Sequence, residues 1–301
     1  MAIELDELKK RLQNDAPHEF DGSFNEFSQV YSSHTNENVK EYIKELKDKS
    51  VLCVSGSGDH LLNSIVAGAK EVDTFDINRF SPLYQELNIY AIRYLKPSDA
   101  HTFLCLFDRD IYYKFNKHLP QHLKEFFDCL FEYETFEEML YKFFVEFITT
   151  LEFNNYNSLK ALQELRERIM KVKRHHYHSD LYSLPGVLDK KYDAIYLSNI
   201  LEYQKDFTKY FEIIRELKKN HLNEGGEIFY NYLWGKPADI KIEKCYKKGV
   251  NRYISTKDIE KNRDIIDSTT KVIVESTYRK TYDLNKAIAP DIVLKTKKGR
   301  N

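Results

Sequence analysis

VLCVSGSGDHLLNSIVAGAKEVDTFDIN, residues 51–78, is the stretch on which the reading of this chain turns. An apolar run ends in a glycine turn, a helical pattern follows, and a second apolar run ends in an acid. Such a stretch predicts a strand over Val51–Ser55, a helix over about Asp59–Ala67 with Gly68 as its stop, and a second strand over Val72–Ile77. Gly56 and Gly58 carry no Cβ, so a ligand can approach the backbone of that turn closely. Asp76 stands 18 residues beyond Gly58, near the spacing of about 20 at which an acid binds the hydroxyls of a ribose. The unit is built to hold a nucleoside.

The same residues narrow the nucleoside. A dinucleotide fingerprint places a third glycine three residues after the second, and here that residue is Leu61. Asp59 suits a helix N-terminus but repels a pyrophosphate. No Lys-Ser/Thr pair follows, so the loop is not a P-loop. A ligand with a ribose and no phosphate fits better, and S-adenosylmethionine is such a ligand. The bland alternative is a tight turn in an α/β protein that binds nothing.

Outward from this unit the α/β rhythm continues. Residues 2–13 read as an amphipathic helix, and Thr35 or Asn36 as the cap of a helix over Glu37–Lys47. A helix is expected over about Pro82–Leu95. Residues 98–173 then interrupt the pattern with apolar residues at helical spacing, including eleven of the 19 Phe. They read as a helical insertion, either packed as its own core or serving as a lid or substrate wall. Strands return at HHYHSD (175–180), Tyr192–Leu197, the segment after Gly225–Gly226, KVIVEST (271–277) and DIVLKTK (291–297). A helix over Phe207–Leu222, capped by Asp206, and a short one from Ser255 or Thr256 to Lys261 complete the list. The expected fold class is α/β, a Rossmann-like, mostly parallel sheet with a helical insertion and N-terminal helices. The expected organisation is an N-terminal helical segment (1–48), a cofactor-binding domain (49–97 and 174–301) and the insertion (98–173).

In an open parallel sheet, ligands bind beyond the carboxyl ends of the strands. Four predicted strand ends carry polar groups, so they are expected to form one site. Ser55, Gly56, Ser57, Gly58 and Asp59 would pack on sugar and amino acid tail, and Asp76, with Ile77 and Asn78, would take the ribose. Asp180 and the backbone of Leu181 would accept from the adenine amine, and Ser198 with Asn199 would stand near the sulfonium. Tyr31, Thr35 and Asn36 are candidates to fold over the cofactor tail. Asn199, Glu202 and Tyr203 are the catalytic candidates, with His60 as a further base.

Read together, SGSGD (55–59), FDIN (75–78), SDL (179–181), YDAIYLSNILEY (192–203) and GGEI (225–228) resemble the class I S-adenosylmethionine-dependent transferases. Within that superfamily TNEN (35–38), SGSGD and FDIN are most similar to bacterial relatives of the aminocarboxypropyltransferases of betaine-lipid synthesis. The resemblance covers roughly 50–95 and 174–235. It implies transfer of a 3-amino-3-carboxypropyl group, or of methyl, to a small-molecule or amphiphilic acceptor. Either is a displacement at a carbon bonded to sulfonium, in which the protein positions the acceptor and excludes water. A non-catalytic nucleoside-binding regulator is the reading from another class.

Composition sets the remaining bounds. A net charge of −1 over 301 residues offers no global field for nucleic acid or anionic membrane. Four scattered cysteines with no CxxC pair fit a reduced, cytoplasmic protein. The N-terminus has no signal-peptide core, and no stretch is apolar enough to span a membrane. His175, His176 and His178 have no acid–His motif beside them, so no metal is expected. The lysines after residue 240 are interleaved with acids and read as solvated surface.

Overall fold

The computed structural model describes residues 2–13, 25–35, 37–133, 135–200, 207–234, 271–278 and 290–299. In chain order these form α1 (Ala2–Gln13), β1 (Val30–Ser32), β2 (Ser50–Val54), α2 (Asp59–Val66), β3 (Glu71–Asp76) and α3 (Phe80–Tyr94). There follow α4 (Pro97–Leu106), α5 (Arg109–Phe115), α6 (Gln121–Phe131), α7 (Phe136–Phe143), β4 (Phe144–Glu146) and α8 (Leu159–Ile169). The remainder are β5 (Lys173–His178), α9 (Leu184–Val187), β6 (Tyr192–Tyr196), α10 (Phe207–Asn220), β7 (Leu222–Trp234), β8 (Lys271–Tyr278) and β9 (Pro290–Lys297). The chain divides into two compact units, residues 1–47 with 55–178, and 48–54 with 179–301.

The second unit holds five strands in the order β2-β6-β7-β9-β8. Neighbours β2, β6 and β7 run parallel, with Leu52 opposite Ile195 and Ile195 opposite Ile228. The last strand, β9, lies between β7 and β8 and runs antiparallel to both. The two late strands expected from KVIVEST and DIVLKTK therefore pair as an antiparallel edge. Buried Leu52, Ile195 and Ile228 fill this sheet's centre. Along β9, Lys295 and Lys297 lie 3.1 and 3.9 Å from the same Glu227 oxygen, so one carboxylate serves both cations.

In the first unit β3 and β5 pair in parallel along six residues, Glu71 opposite Lys173 through Asp76 opposite His178. Ser55 continues the line of β2 and donates its N–H to the Phe75 carbonyl at 2.8 Å. The chain is thus α/β, with a mostly parallel, Rossmann-like arrangement. Asn78 starts α3: its side-chain oxygen accepts from the amides of Phe80 (2.7 Å) and Ser81 (3.3 Å), satisfying donors that a helix start leaves unpaired.

The segment 98–173 is mostly helical, but its rings do not form a separate core. Phe103, Phe107, Phe115, Phe131 and Phe143 join Leu8 and Leu12 of α1 and Phe80 and Tyr84 of α3 in one buried cluster. Ring centroids lie 4.6 Å apart for Phe107–Phe131 and 5.0 Å for Tyr84–Phe144, mostly tilted or edge-to-face, the geometries favoured by ring quadrupoles. Within this segment Phe144–Glu146 forms a strand that pairs in parallel with β1, which helical spacing did not foretell.

A helix over Glu37–Lys47 does not form. Val39–Glu41 makes a single 3-10 turn, and Glu45 takes φ +43°, outside helical space. The reason is tertiary: Glu37 is held by Tyr42 and His60, and Leu46 N–H donates to Ala67 O at 2.9 Å, which overrides a weak local preference. The proposed caps Asp206, Ser255 and Thr256 and the lysines 241–248 lie outside the described residues. Among those residues no helix is long and apolar enough to cross a membrane.

Candidate functional site

The first unit carries the glycine turn and Asp76. Gly56 and Gly58 have φ +47° and +85°, left-handed values that glycine adopts without a Cβ penalty. The two differ in purpose. A Cβ on Gly58 would come within 3.1 Å of Gln85 Cγ, so that glycine admits α3. A Cβ on Gly56 would meet nothing within 4 Å, so that glycine faces open space. Ser55 Oγ donates to Gln85 Oε1 at 3.0 Å, fixing the turn's base.

Asp76, partly buried at the end of β3, closes the turn onto the strand tip. One carboxylate oxygen accepts from Gly56 N–H at 3.0 Å and the other from Asn78 N–H at 2.9 Å. A carboxylate has about four acceptor positions, and the Ser81 side chain is a further donor to this one, so about one remains for a ligand. Burial pushes this carboxyl above its usual range, against the pull of those backbone donors. A hydroxyl from a bound ribose would fill the position left open. The residues present therefore fit a ribose, and the open face at Gly56 fits the atoms next to it.

Not every residue of the sequence-predicted set is offered at this turn. Asp59 is fully buried, and its carboxylate accepts from Thr35 N–H, Tyr156 O–H, His34 Nδ1 (3.3 Å) and Asn154 Nδ2 (3.4 Å). Those donors hold its carboxyl below the usual range even though burial opposes it. Asn78 donates to Ser28 O and Gln29 O, both at 2.9 Å, while capping α3. Ser57 Oγ accepts weakly from Asp59 N–H at 3.4 Å. His60 is buried with its Nε2 3.0 Å from Tyr42 O–H and 3.5 Å from Glu37, which ties this base candidate into the protein.

These bonds anchor one segment on either side of the turn. Residues 28–35 start at Asn78, two residues past Asp76, and end at Asp59, one residue past Gly58. Between those ends Tyr84 O–H donates to Ser33 O at 2.9 Å, and Ser33 Oγ exchanges bonds with the backbone of Ile148 at 3.1 and 2.8 Å. The half-buried Tyr31 sits mid-segment in β1, and Thr35 Oγ1 accepts from Glu37 N–H at 3.1 Å. Asn36 lies outside the described residues. His34, Asn154, Tyr156 and Gln85 were missed from sequence; Tyr156 acts on Asp59 across 97 residues, and no local pattern marks such a pairing.

The second unit carries the other candidates. Asp180 Oδ1 accepts from Ser183 N–H at 2.7 Å at the entry to α9, beside the buried Leu181. Ser198, just past β6, takes φ +52°, which costs a non-glycine residue about 1–2 kcal/mol. Its hydroxyl lies 3.4 Å from Asn199 Oδ1, and the buried Asn199 Nδ2 finds no acceptor among the described residues. Glu202 and Tyr203 lie outside the described residues. On β5, His176 bonds Thr74 Oγ1 at 2.9 Å, and no group of three His, Cys, Asp or Glu side chains among the described residues is placed to hold a metal.

No protein-family model and no curated protein matches the chain. Among solved structures it is similar to the N-methyltransferase NodS from Bradyrhizobium japonicum WM9 in complex with S-adenosyl-L-homocysteine, at 10% identity over 98% of each chain and a TM-score of 0.42. A SAM-dependent methyltransferase from Methanosarcina mazei shares 12% identity over 89% of this chain and 99% of that one, TM-score 0.44. An rRNA methylase from Streptococcus thermophilus shares 9% over 87% and 93%, TM-score 0.38. At these values the likeness assigns neither family nor activity, and the fold stands on the strand order and the helices given above.

Proposed function

We propose that the chain is an S-adenosylmethionine-dependent transferase acting on a small-molecule or amphiphilic acceptor. The observation that carries the reading is the bond between Asp76 and Gly56 N–H: an acid with spare acceptor capacity, joined to a turn whose first glycine faces open space. Asp76 binds a ribose hydroxyl, and the Gly56 turn lies along the ligand's tail. Asp180 and Leu181 keep the adenine role assigned from sequence. Asn199 keeps the role of orienting the reacting end, and its amide, without an acceptor among the described residues, is the kind of buried donor a ligand satisfies.

When bound, the cofactor supplies an electrophilic carbon activated by its sulfonium. The chain's own residues hold that ligand, orient it and exclude water. The sequence resemblance favours transfer of the 3-amino-3-carboxypropyl group, with methyl transfer as the alternative outcome. Incubation with S-adenosylmethionine and cell extract tests the reading through the product. Methylthioadenosine is expected, S-adenosylhomocysteine identifies methyl transfer, and neither product, with binding intact, points to a nucleoside-binding regulator.

A further inference from the structure

Asp59 sits at the first position of α2, beside the glycine turn, yet its carboxylate faces the protein. Its donors come from two distant stretches: His34 and Thr35 from the segment anchored on either side of the turn, and Asn154 and Tyr156 from the end of the inserted segment. The second group is itself pinned to α2, since Asn63 Nδ2 donates to Asn154 Oδ1 at 2.6 Å and Asn155 N–H donates to Asn63 Oδ1 at 2.6 Å. His34 adds a third tie. Its Nε2 lies 2.7 Å from Leu104 O, so the two ring nitrogens tie Asp59 to the end of α4. An ion with four donors in a dry interior holds its partners in one geometry, because any loosening leaves a buried charge underpaired.

We propose that Asp59 and Tyr156 are positioning residues that hold segment 28–35 as a roof over the Gly56–Asp76 pair, so that the inserted segment sets cofactor affinity without touching the cofactor. The inference rests on the functional reading above. Tyr156→Phe removes one oxygen from the network and leaves the ring in place. Tyr112→Phe is the matched control: the Tyr112 ring is equally buried, in the aromatic core, and its O–H donates at 2.7 Å to the partly exposed Asp128.

The test is titration of the full chain with S-adenosylhomocysteine, alongside amide hydrogen exchange. Tyr156→Phe is expected to weaken binding about tenfold, on the scale of one hydrogen bond to a charged group, and to speed exchange of the Thr35 amide. Tyr112→Phe is expected to bind as wild type and to leave Thr35 exchange unchanged. If the wild type binds and Tyr156→Phe matches it in affinity and in Thr35 exchange, the inference is overturned alone. Equal weakening by both variants overturns it too, as a general stability effect. Wild-type protein that binds neither this ligand nor S-adenosylmethionine overturns the functional reading, and the inference falls with it.

Discussion

Asp76 and Gly56 make a pair in which the conformation of one residue serves the chemistry of the other. Gly56 is needed for its left-handed φ and for the empty space beside it, not for packing. Gly56→Ala is therefore expected to cost about 1–2 kcal/mol of stability, read as a shifted denaturant midpoint, while cofactor affinity falls at least tenfold because the methyl enters the ligand's space. His176 supplies a pH prediction at the same scale. Burial, followed by the neighbouring His178 and His175, pushes it down to about 4. Its folded value lies below the unfolded value of about 6.5, so the unfolded chain binds the proton first and stability falls as pH drops from about 6.5 to 4. Denaturant titrations across that window should show this slope in the wild type and a flatter one in His176→Gln. Asp59 acts lower: with a depressed folded value, its contribution is complete above the unfolded carboxyl range and fades only below about pH 4.

Helices and strands here are set partly by their ends and partly by what they meet. Asp108 caps α5 by accepting from Ile111 N–H at 2.8 Å. Asp108→Ala should cost about 1 kcal/mol in chemical denaturation and leave cofactor affinity unchanged. Phe131, fully buried at the end of α6, should cost about 3–5 kcal/mol as Phe131→Ala, a cavity in a core that α1, α3 and α4–α7 share. The strand–turn–helix–strand unit was legible because its signals are local: apolar runs of strand length, glycines between them, an acid at the tip. The aromatic segment was legible as helix for the same reason. Its shared core with α1 was not, since periodicity shows that a face is apolar without showing what covers it. Nor was the anchoring of residues 28–35: β1 within them is three residues long, and the residues flanking it bond Asn78, Tyr84 and Asp59, partnerships that sequence spacing cannot express. At Glu37–Lys47 local propensity pointed the wrong way, because Tyr42 and His60 compete for Glu37.

Across the molecule, two features present in sequence and structure alike support the proposed cofactor: the open glycine and the acid bonded to it. The product formed from the cofactor reports which carbon is attacked. The catalytic candidates divide, with Asn199 at a strained turn and Glu202 and Tyr203 outside the described residues. All of this depends on the chain binding S-adenosylmethionine through Asp76. Calorimetric titration of S-adenosylmethionine into the wild type and Asp76→Asn tests that dependence most directly. The account predicts saturable binding by the wild type and a ten- to hundredfold weaker constant in the variant, about 1.5–3 kcal/mol for hydrogen bonds to a lost charge. No heat at millimolar ligand, or equal affinity in the two proteins, would contradict it.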